Sequence, residues 1–197
     1  MEAVNRFEGR TSMWTLTDDQ AIALANAVQG KVVWDLGSGD SSLSRIVLHM
    51  GAKKVVSVDR NPPVKIKRAA EPWWVHEVRH TTFEDLNQED EMRDAVALLA
   101  WPQNCSTPGL AHLVRWFENS LVYIGSNTNG AVCGMENLWN HLAQRSVVTH
   151  IPHEYNVLTH YGSSWGAGRS LLPDERAATS EEVVSYFDAY ATGKYID

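Results

Sequence analysis

The sequence predicts an α/β protein with a doubly wound, mostly parallel sheet of seven strands, an antiparallel last strand pair and a C-terminal helix. Residues 31–61 indicate this fold first, because an apolar run, a glycine loop, a helical pattern and a β-branched run follow one another there. Apolar runs and helical patterns alternate as far as residue 142, the order typical of a parallel sheet. Two β-like runs, 146–151 and 155–161, then follow so closely that only an antiparallel pair can form.

Local patterns support each element in turn. Thr17 and Gln20 form a capping-box pattern before an apolar helix face, and Gly30 is placed to end that helix. The third strand is the most weakly marked, with Val75 and Val78 as its best core candidates. In chain order the predicted elements are a helix after Thr17, a strand at 31–36, a helix at 43–50, a strand at 54–58, a short helix at 64–70, strands at 74–78 and 95–100, a helix from 107, a strand at 121–124, a helix from about 135, and the closing pair.

The chain has 197 residues, of which 44% are hydrophobic, enough to bury one core but too few for two ordinary domains. We expect a single domain over residues 1–197, with its core at 17–161 and a tail at 162–197. A capping-box pattern at Thr179 predicts a helix in the tail. We expect its apolar face to pack on the body of the protein, with a dimer interface as the alternative. That face consists of Val183, Tyr186, Phe187 and Tyr190.

Charge and cysteine content limit the classes of function. The net charge of -7 argues against a protein that acts mainly on nucleic acid, since Lys and Arg supply the affinity for phosphates. Cys105 and Cys133 have neither a disulfide nor a metal spacing. The first residues contain no apolar targeting core, and no run approaches the roughly 18 apolar residues of a membrane span. We therefore expect a cytoplasmic protein, whose oligomeric state the sequence leaves open.

The loop after the first strand has the features of a nucleoside-binding turn. Gly37 and Gly39 let the backbone approach a ligand, and Asp59 at the end of the second strand can accept both hydroxyls of a ribose. Asp35 closes the first strand, and a carboxylate there repels the phosphates of a dinucleotide. Ser42 also replaces the third glycine of a dinucleotide motif. A ligand with an ammonium and a sulfonium suits the site better, because opposite charges at about 4 Å attract by roughly 4 kcal/mol at an effective dielectric of about 20.

These residues resemble the first motif of the class I S-adenosylmethionine-dependent methyltransferases. The run Asp35-Leu36-Gly37-Ser38-Gly39 looks like that motif, with Ser41 in place of the usual third glycine, and Asp59 looks like the ribose-binding acid. The resemblance implies a Rossmann-like fold and S-adenosylmethionine as the cofactor. The cofactor-binding residues that it implies in this part of the chain are Asp35, Gly37, Ser38, Gly39, Ser41, Asp59 and the adjoining Arg60.

In that family the loop after the third strand contacts adenine. The side chain of Thr82 is placed to meet the exocyclic amine, and the backbone N–H of Phe83 is placed to meet a ring nitrogen. The family more often has Asp where Thr82 stands, so Glu84 and Asp85 are alternative contacts. A solvated acidic loop is the other interpretation of this segment.

The candidate catalytic segment is Trp101-Pro102-Gln103-Asn104, which follows the fourth strand. Reacting centres of open α/β sheets lie outside the carboxyl ends of the strands. The segment partly resembles the Asn/Asp-Pro-Pro-Tyr motif of amino methyltransferases. It is more similar to a group of methyltransferase-like proteins with Trp-Pro here and a Val-Tyr-Ile-Gly fifth strand, as at residues 122–125. Trp101 is suited to shield and orient a methyl group, and Gln103 and Asn104 to hold an acceptor by hydrogen bonds. An ordinary strand end is the alternative.

The sequence thus predicts S-adenosylmethionine-dependent methyl transfer to a small-molecule or protein acceptor. One alternative is a nucleic-acid methyltransferase with a modified fourth-strand motif. Another is a catalytically silent fold that acts through its aromatic C-terminal helix. His150, His153 and His160 fit no established zinc spacing, so we expect no metal site. His153, at the tip of the last strand pair, is a candidate general base.

Overall fold

The computed structural model describes residues 16–60, 75–102, 107–126, 136–153 and 156–163. Within these ranges the helices and strands follow the predicted order. They are α1 (Asp18–Val28), β1 (Val32–Leu36), α2 (Ser42–His49), β2 (Lys54–Asp59), β3 (His76–His80), β4 (Val96–Ala100), α3 (Thr107–Leu113), β5 (Ser120–Gly125), α4 (Glu136–Leu142), β6 (Val147–Pro152) and β7 (Val157–Tyr161), with 3₁₀ turns at Asp90–Met92 and Val114–Trp116.

The strands form one seven-stranded sheet in the order β3-β2-β1-β4-β5-β7-β6. β1 to β5 are parallel, and β7 runs antiparallel to both β5 and β6. The predicted doubly wound sheet with an antiparallel last pair is therefore confirmed. The strand order reverses at β1 and β4, where folds of this kind bind ligands outside the strand ends. We call this part of the molecule, comprising residues 37–41, Asp59 and Trp101, the carboxyl edge.

Alternating side chains divide the core between the two faces of the sheet. On one face, Trp34 and Leu36 of β1 belong to the same apolar cluster as residues of α3 and α4. On the other face, Val33 clusters with Leu24 of α1 and Val47 of α2. Because helices cover both faces, the central strands are apolar at nearly every position.

The capping box predicted at the start of α1 is confirmed. Thr17 Oγ1 accepts a hydrogen bond from the Gln20 N–H at 3.2 Å, and Gln20 Oε1 accepts one from the Thr17 N–H at 3.1 Å. The side-chain amide of Gln20 also donates to Asn156 Oδ1 at 2.7 Å and to the Ile151 carbonyl at 3.1 Å. Gln20 therefore joins α1 to the β6–β7 pair, a contact that the local sequence pattern does not reveal.

The third strand has a different core residue from the one predicted. Val75 and Val78 are only half-buried, whereas His76 is 3% exposed. The choice of the two valines as the best core positions is therefore wrong. His76 Nε2 lies 2.7 Å from the hydroxyl oxygen of Ser57 on β2, and this hydrogen bond offsets the cost of burying an imidazole.

Some predicted features lie outside the described residues. These are the helix at 64–70, Gln103, Asn104, both cysteines and the helix after Thr179. In the part of the chain that the structure describes, no helix is long and apolar enough to cross a membrane.

Replacing Gln20 with Leu should destabilise the protein by about 1–3 kcal/mol, because buried polar groups lose hydrogen bonds. Denaturant unfolding measures this loss. Thr17→Ala is the control, since it removes the helix cap and keeps the amide bonds of Gln20 to Asn156 and Ile151. That control should lose only about 1 kcal/mol. Equal losses for the two variants would contradict a role for Gln20 in joining α1 to the β6–β7 pair.

Candidate active site

The loop that follows β1 turns through left-handed backbone conformations. Gly37 and Gly39 have φ values of 85° and 53°, a region that glycine adopts without strain. Ser41, with φ of 57°, adopts the same region and is fully buried. The N–H groups of Gly37 and Ser38 both donate to the Val58 carbonyl, at 2.8 and 3.0 Å. The loop is therefore held against the end of β2.

The carboxylate of Asp59, the last residue of β2, contacts this loop directly. Its Oδ2 accepts a hydrogen bond from the Gly39 N–H at 2.9 Å. Apart from its two chain neighbours, no described residue has an atom within 4 Å of the position that a Cβ on Gly39 would occupy, so the backbone there is open to a ligand. Asp59 is half-buried and Arg60 is exposed. The structure thus brings together the predicted glycine loop and the predicted ribose-binding acid.

β4 ends at the same edge in a strained residue. Trp101 has φ of 51°, a left-handed conformation that costs a bulky side chain about 1–2 kcal/mol. Its N–H donates to the Ile124 carbonyl at 2.7 Å, which holds the strand end against β5. The half-buried indole packs on the core, and its Nε1 has no hydrogen-bond partner among the described residues. Pro102 is buried. Backbone strain of this kind is concentrated at functional sites.

Solved structures share this arrangement of strands at low sequence identity. The 1,6-didemethyltoxoflavin-N1-methyltransferase of Burkholderia thailandensis, with bound S-adenosylhomocysteine, matches with a TM-score of 0.57 and 15% identity over 75% of this chain and 77% of that one. A candidate tRNA (m1A22) methyltransferase of Streptococcus pneumoniae, in complex with S-adenosyl-L-methionine, matches with a TM-score of 0.56 and 14% identity over 86% and 78%. A candidate RNA methyltransferase of Pyrococcus horikoshii matches with a TM-score of 0.54 and 17% identity over 82% and 96%.

The chain has the Rossmann-like fold of class I methyltransferases. No protein-family model and no curated protein matches its sequence. The likeness therefore lies in the arrangement of the sheet and its helices.

The loop predicted to contact adenine lies beside the glycine loop. A Cβ on Gly37 would lie 3.8 Å from Phe83 Cζ, so the tip of the Phe83 ring lies next to the carboxyl edge. The Thr82 hydroxyl donates to Asp85 Oδ2 at 2.7 Å, and the Asp85 N–H donates back to Thr82 Oγ1 at 3.2 Å. Phe83 is thus close to the loop, while the Thr82 side chain is bonded within its own turn.

Asp35 lies beneath the glycine loop. It is 1% exposed, and its Oδ2 accepts a hydrogen bond from the Ser44 hydroxyl of α2 at 2.5 Å. Burial, opposed by this bond and reinforced by the neighbouring Asp59 and Asp40, raises the pKa of Asp35 from 3.8 to about 7. The carboxyl is therefore near its titration midpoint at neutral pH.

A buried chain of hydrogen bonds extends from Asp35 across the sheet. Ser44 Oγ lies 2.6 Å from Ser57 Oγ, which in turn lies 2.7 Å from His76 Nε2. A hydroxyl has one proton to donate. When Asp35 is ionised, Ser57 must therefore donate to Ser44, and His76 Nε2 must donate to Ser57. We call these four residues the buried polar chain.

Sequence reasoning missed three members of the buried polar chain, namely Ser44, Ser57 and His76. Ser57 interrupts the apolar run from Val55 to Val58, and such a position was a sign of a buried polar contact. Ser44 and His76 stand next to Arg45 and Glu77, so no apolar run singles them out. The pairing could not be found locally, because Asp35 meets Ser57 only through the register of β1 and β2.

The histidines of the last two strands do not come together. Thr149 is opposite His160 and His150 is opposite Thr159, so the two imidazoles point to opposite faces of the sheet. His160 Nε2 lies 2.9 Å from Ser120 Oγ, and His150 Nδ1 lies 2.9 Å from Thr159 Oγ1. Burial lowers the pKa of His160. Within the described ranges, no group of three acidic, histidine or cysteine side chains is arranged to hold a metal ion.

Asp35 should make the unfolding free energy fall between about pH 4 and about pH 7. Its raised pKa means that the folded state holds the proton more tightly than the unfolded state does. Its contribution to stability is therefore complete below pH 3.8 and is lost as the pH rises through about 7. Asp35→Asn should remove this component, as measured by urea unfolding across the range.

The exposed carboxyl of Asp85 provides the matched control for this experiment. Asp85→Asn removes the same charge and should keep the pH dependence of the wild-type protein. If Asp35→Asn also leaves the difference between acid and neutral pH unchanged, the buried titration of Asp35 is ruled out.

Proposed function

We propose that the protein binds S-adenosylmethionine at the carboxyl edge and transfers its methyl group to a small-molecule or protein acceptor. The observation that carries this proposal is the hydrogen bond between the Gly39 N–H and the Asp59 carboxylate. It places an acid beside an open, left-handed glycine loop in a methyltransferase fold. An acid in this position accepts the hydroxyls of a ribose.

The residues around the loop are compatible with this cofactor. The backbone of Gly37, Ser38 and Gly39 lines the approach, and the left-handed conformation of the two glycines leaves it accessible, whereas Ser41 is buried just before α2. The tip of the Phe83 ring reaches the same loop, and in the proposal this ring borders the adenine. In the proposal Arg60 borders the site from its exposed position.

Asp35 supports the proposal in a different way from a direct ion pair. Its carboxyl is 1% exposed and bonded to Ser44, so we assign it to holding the loop. Asp40 and Asp59 are close enough to raise its pKa. The carboxylates of Asp40 and Asp59 favour a cationic ligand over a phosphate-containing one.

We propose that the segment after β4 accelerates methyl transfer by orienting the acceptor toward the methyl group. The cofactor supplies an electrophilic methyl group, and displacement at that group requires the acceptor to lie in line with the leaving sulfur. Trp101 is strained and packed on the core, so its indole is a rigid wall for the reacting pair. The segment 101–104 contains no ionisable side chain. We therefore propose an acceptor that is already nucleophilic near neutral pH, held by Gln103 and Asn104.

RNA is the alternative acceptor, because two of the similar structures are described as RNA methyltransferase candidates. The net charge of -7 disfavours it. Retention on heparin at low salt, with a steep loss of affinity as salt rises, would favour RNA over a small molecule or protein. A protein that binds the cofactor and methylates nothing would instead act through contacts alone.

Calorimetry should detect micromolar-range binding of S-adenosylmethionine and negligible binding of NAD. Asp59→Ala should weaken the S-adenosylmethionine affinity by about 1.5–3 kcal/mol, the usual contribution of hydrogen bonds to a charged group. Asp40→Ala removes a nearby exposed carboxylate and keeps the Asp59–Gly39 contact, so it should lose much less. Equal affinity for NAD would refute the cofactor assignment.

Trp101→Ala should slow the methyl-transfer step by at least about tenfold, because the acceptor and the methyl group are no longer held in line. Cofactor affinity should stay within about twofold, since the Gly39–Asp59 contact is untouched. Single-turnover kinetics separates the two effects once an acceptor is found. His153→Gln is the counter-test: loss of a titration at about pH 6 to 7 in kcat would identify a histidine base and contradict the orientation mechanism.

A further inference from the structure

A shallow apolar groove lies between α1 and the β6–β7 pair, formed by different side chains from the carboxyl edge. It has a volume of about 460 Å³. Ile22 of α1 and Val148 of β6 line it and are 60% and 58% exposed, unlike the other large apolar side chains that the structure describes. We call it the α1–β6 groove. Ala23, Ala27 and Ile151 add to its apolar lining, and Asp19, Asn26, Thr149 and His160 add polar groups.

The edge of β6 is poorly suited to bind another strand. β6 is the last strand of the sheet on this side. Its pairing with β7 is irregular between Val147 and Thr149, and it ends in Pro152, which has no N–H to donate. A bulge and a terminal proline are the usual protections against edge-to-edge pairing. A partner would therefore bind to the exposed Ile22 and Val148 side chains beside this edge, and not to the backbone of β6.

The chain itself leaves the sheet next to this groove. After β7, the Gly162 N–H donates to the Ser146 carbonyl at 2.8 Å. A Cβ on Gly162 would lie 3.0 Å from Val148 Cγ2, so the backbone passes directly over a residue that lines the groove. The residues that follow, 164–197, lie outside the described ranges.

The sequence of residues 164–197 contains an apolar helical pattern that suits the groove in polarity and in length. Its predicted helix has one apolar, mostly aromatic face, at Val183, Tyr186, Phe187 and Tyr190. α1, with 11 residues, is about 16 Å long. The predicted helix extends from the cap at Thr179 at least to Tyr190 and is of similar length. A coil over residues 163–178 spans about 20 Å, enough to reach any part of the groove from Gly162.

We propose that the face formed by Val183, Tyr186, Phe187 and Tyr190 docks in the α1–β6 groove of its own chain. A tethered segment has an effective concentration in the millimolar range, far above that of a second copy in dilute solution. Docking covers Ile22 and Val148 and removes the aromatic face from water. The groove is thus an internal docking surface for the C-terminal segment.

Limited chymotrypsin digestion of the full chain tests this proposal, because the enzyme cleaves after Tyr186, Phe187 and Tyr190 only when they are accessible. Ile22→Lys and Val148→Lys should each speed cleavage at these sites by at least about tenfold. Both positions are exposed, so the core should remain folded, which the melting temperature verifies. Gln29→Lys is the control: it places the same charge on an exposed residue just after α1, outside the groove lining, and should leave the rate unchanged.

A second control concerns the tail itself. Phe187→Asp places a charge on the docking face and should raise the amide hydrogen exchange of β6 around Val148. Ser185→Asp, which adds the same charge on the opposite side of the predicted helix, should not.

Three results would overturn the proposal. Rapid cleavage of the wild-type tail would show that it is not docked. Protection that the groove variants leave unchanged would place the helix elsewhere. Protection that depends on protein concentration, with a dimer in sedimentation equilibrium that Phe187→Asp converts to a monomer, would make the groove an interface between two copies.

Discussion

The buried polar chain that runs from Asp35 to His76 joins β1, α2, β2 and β3. Each of its groups would be costly to bury alone, and each is stabilised by the next. The glycine loop connects two of these elements, because it begins after β1 and ends where α2 begins. Its position therefore depends on the bond between Asp35 and Ser44 as much as on the conformations of its glycines.

The bond between Asp35 and Ser44 also helps to explain why α2 begins irregularly. Ser41 precedes α2 with left-handed backbone, and its side chain makes no capping bond. Asp40 Oδ1 accepts from the Ser42 N–H at 3.0 Å instead, and Ser44 in the first turn is bonded to Asp35. The helix end is thus stabilised by contacts on either side of the strained residue. A second strained residue, Trp101, ends β4, so the carboxyl edge concentrates backbone strain that the packed sheet supports.

The sheet could be predicted because its signals are local and repeated. Apolar runs bounded by glycine, proline and acidic residues indicated six of the strands, β3 was only weakly marked, and the short link before β7 required an antiparallel pair. The prediction failed in detail at β3, where no apolar pattern marks the core side. There a histidine is buried because Ser57, on the neighbouring strand, is within hydrogen-bond distance.

The sequence by itself determined the fold, the glycine loop and the acid at the end of β2, since each depends on residue types that are close together along the chain. Only the tertiary structure decided that Asp59 bonds to Gly39, that the tip of the Phe83 ring lies next to the loop, and that Asp35 is buried against Ser44 instead of lying open to a ligand. These contacts join residues from separate elements. Strand register and the packing of α2 on the sheet bring them together, and neither is specified by any single stretch of sequence.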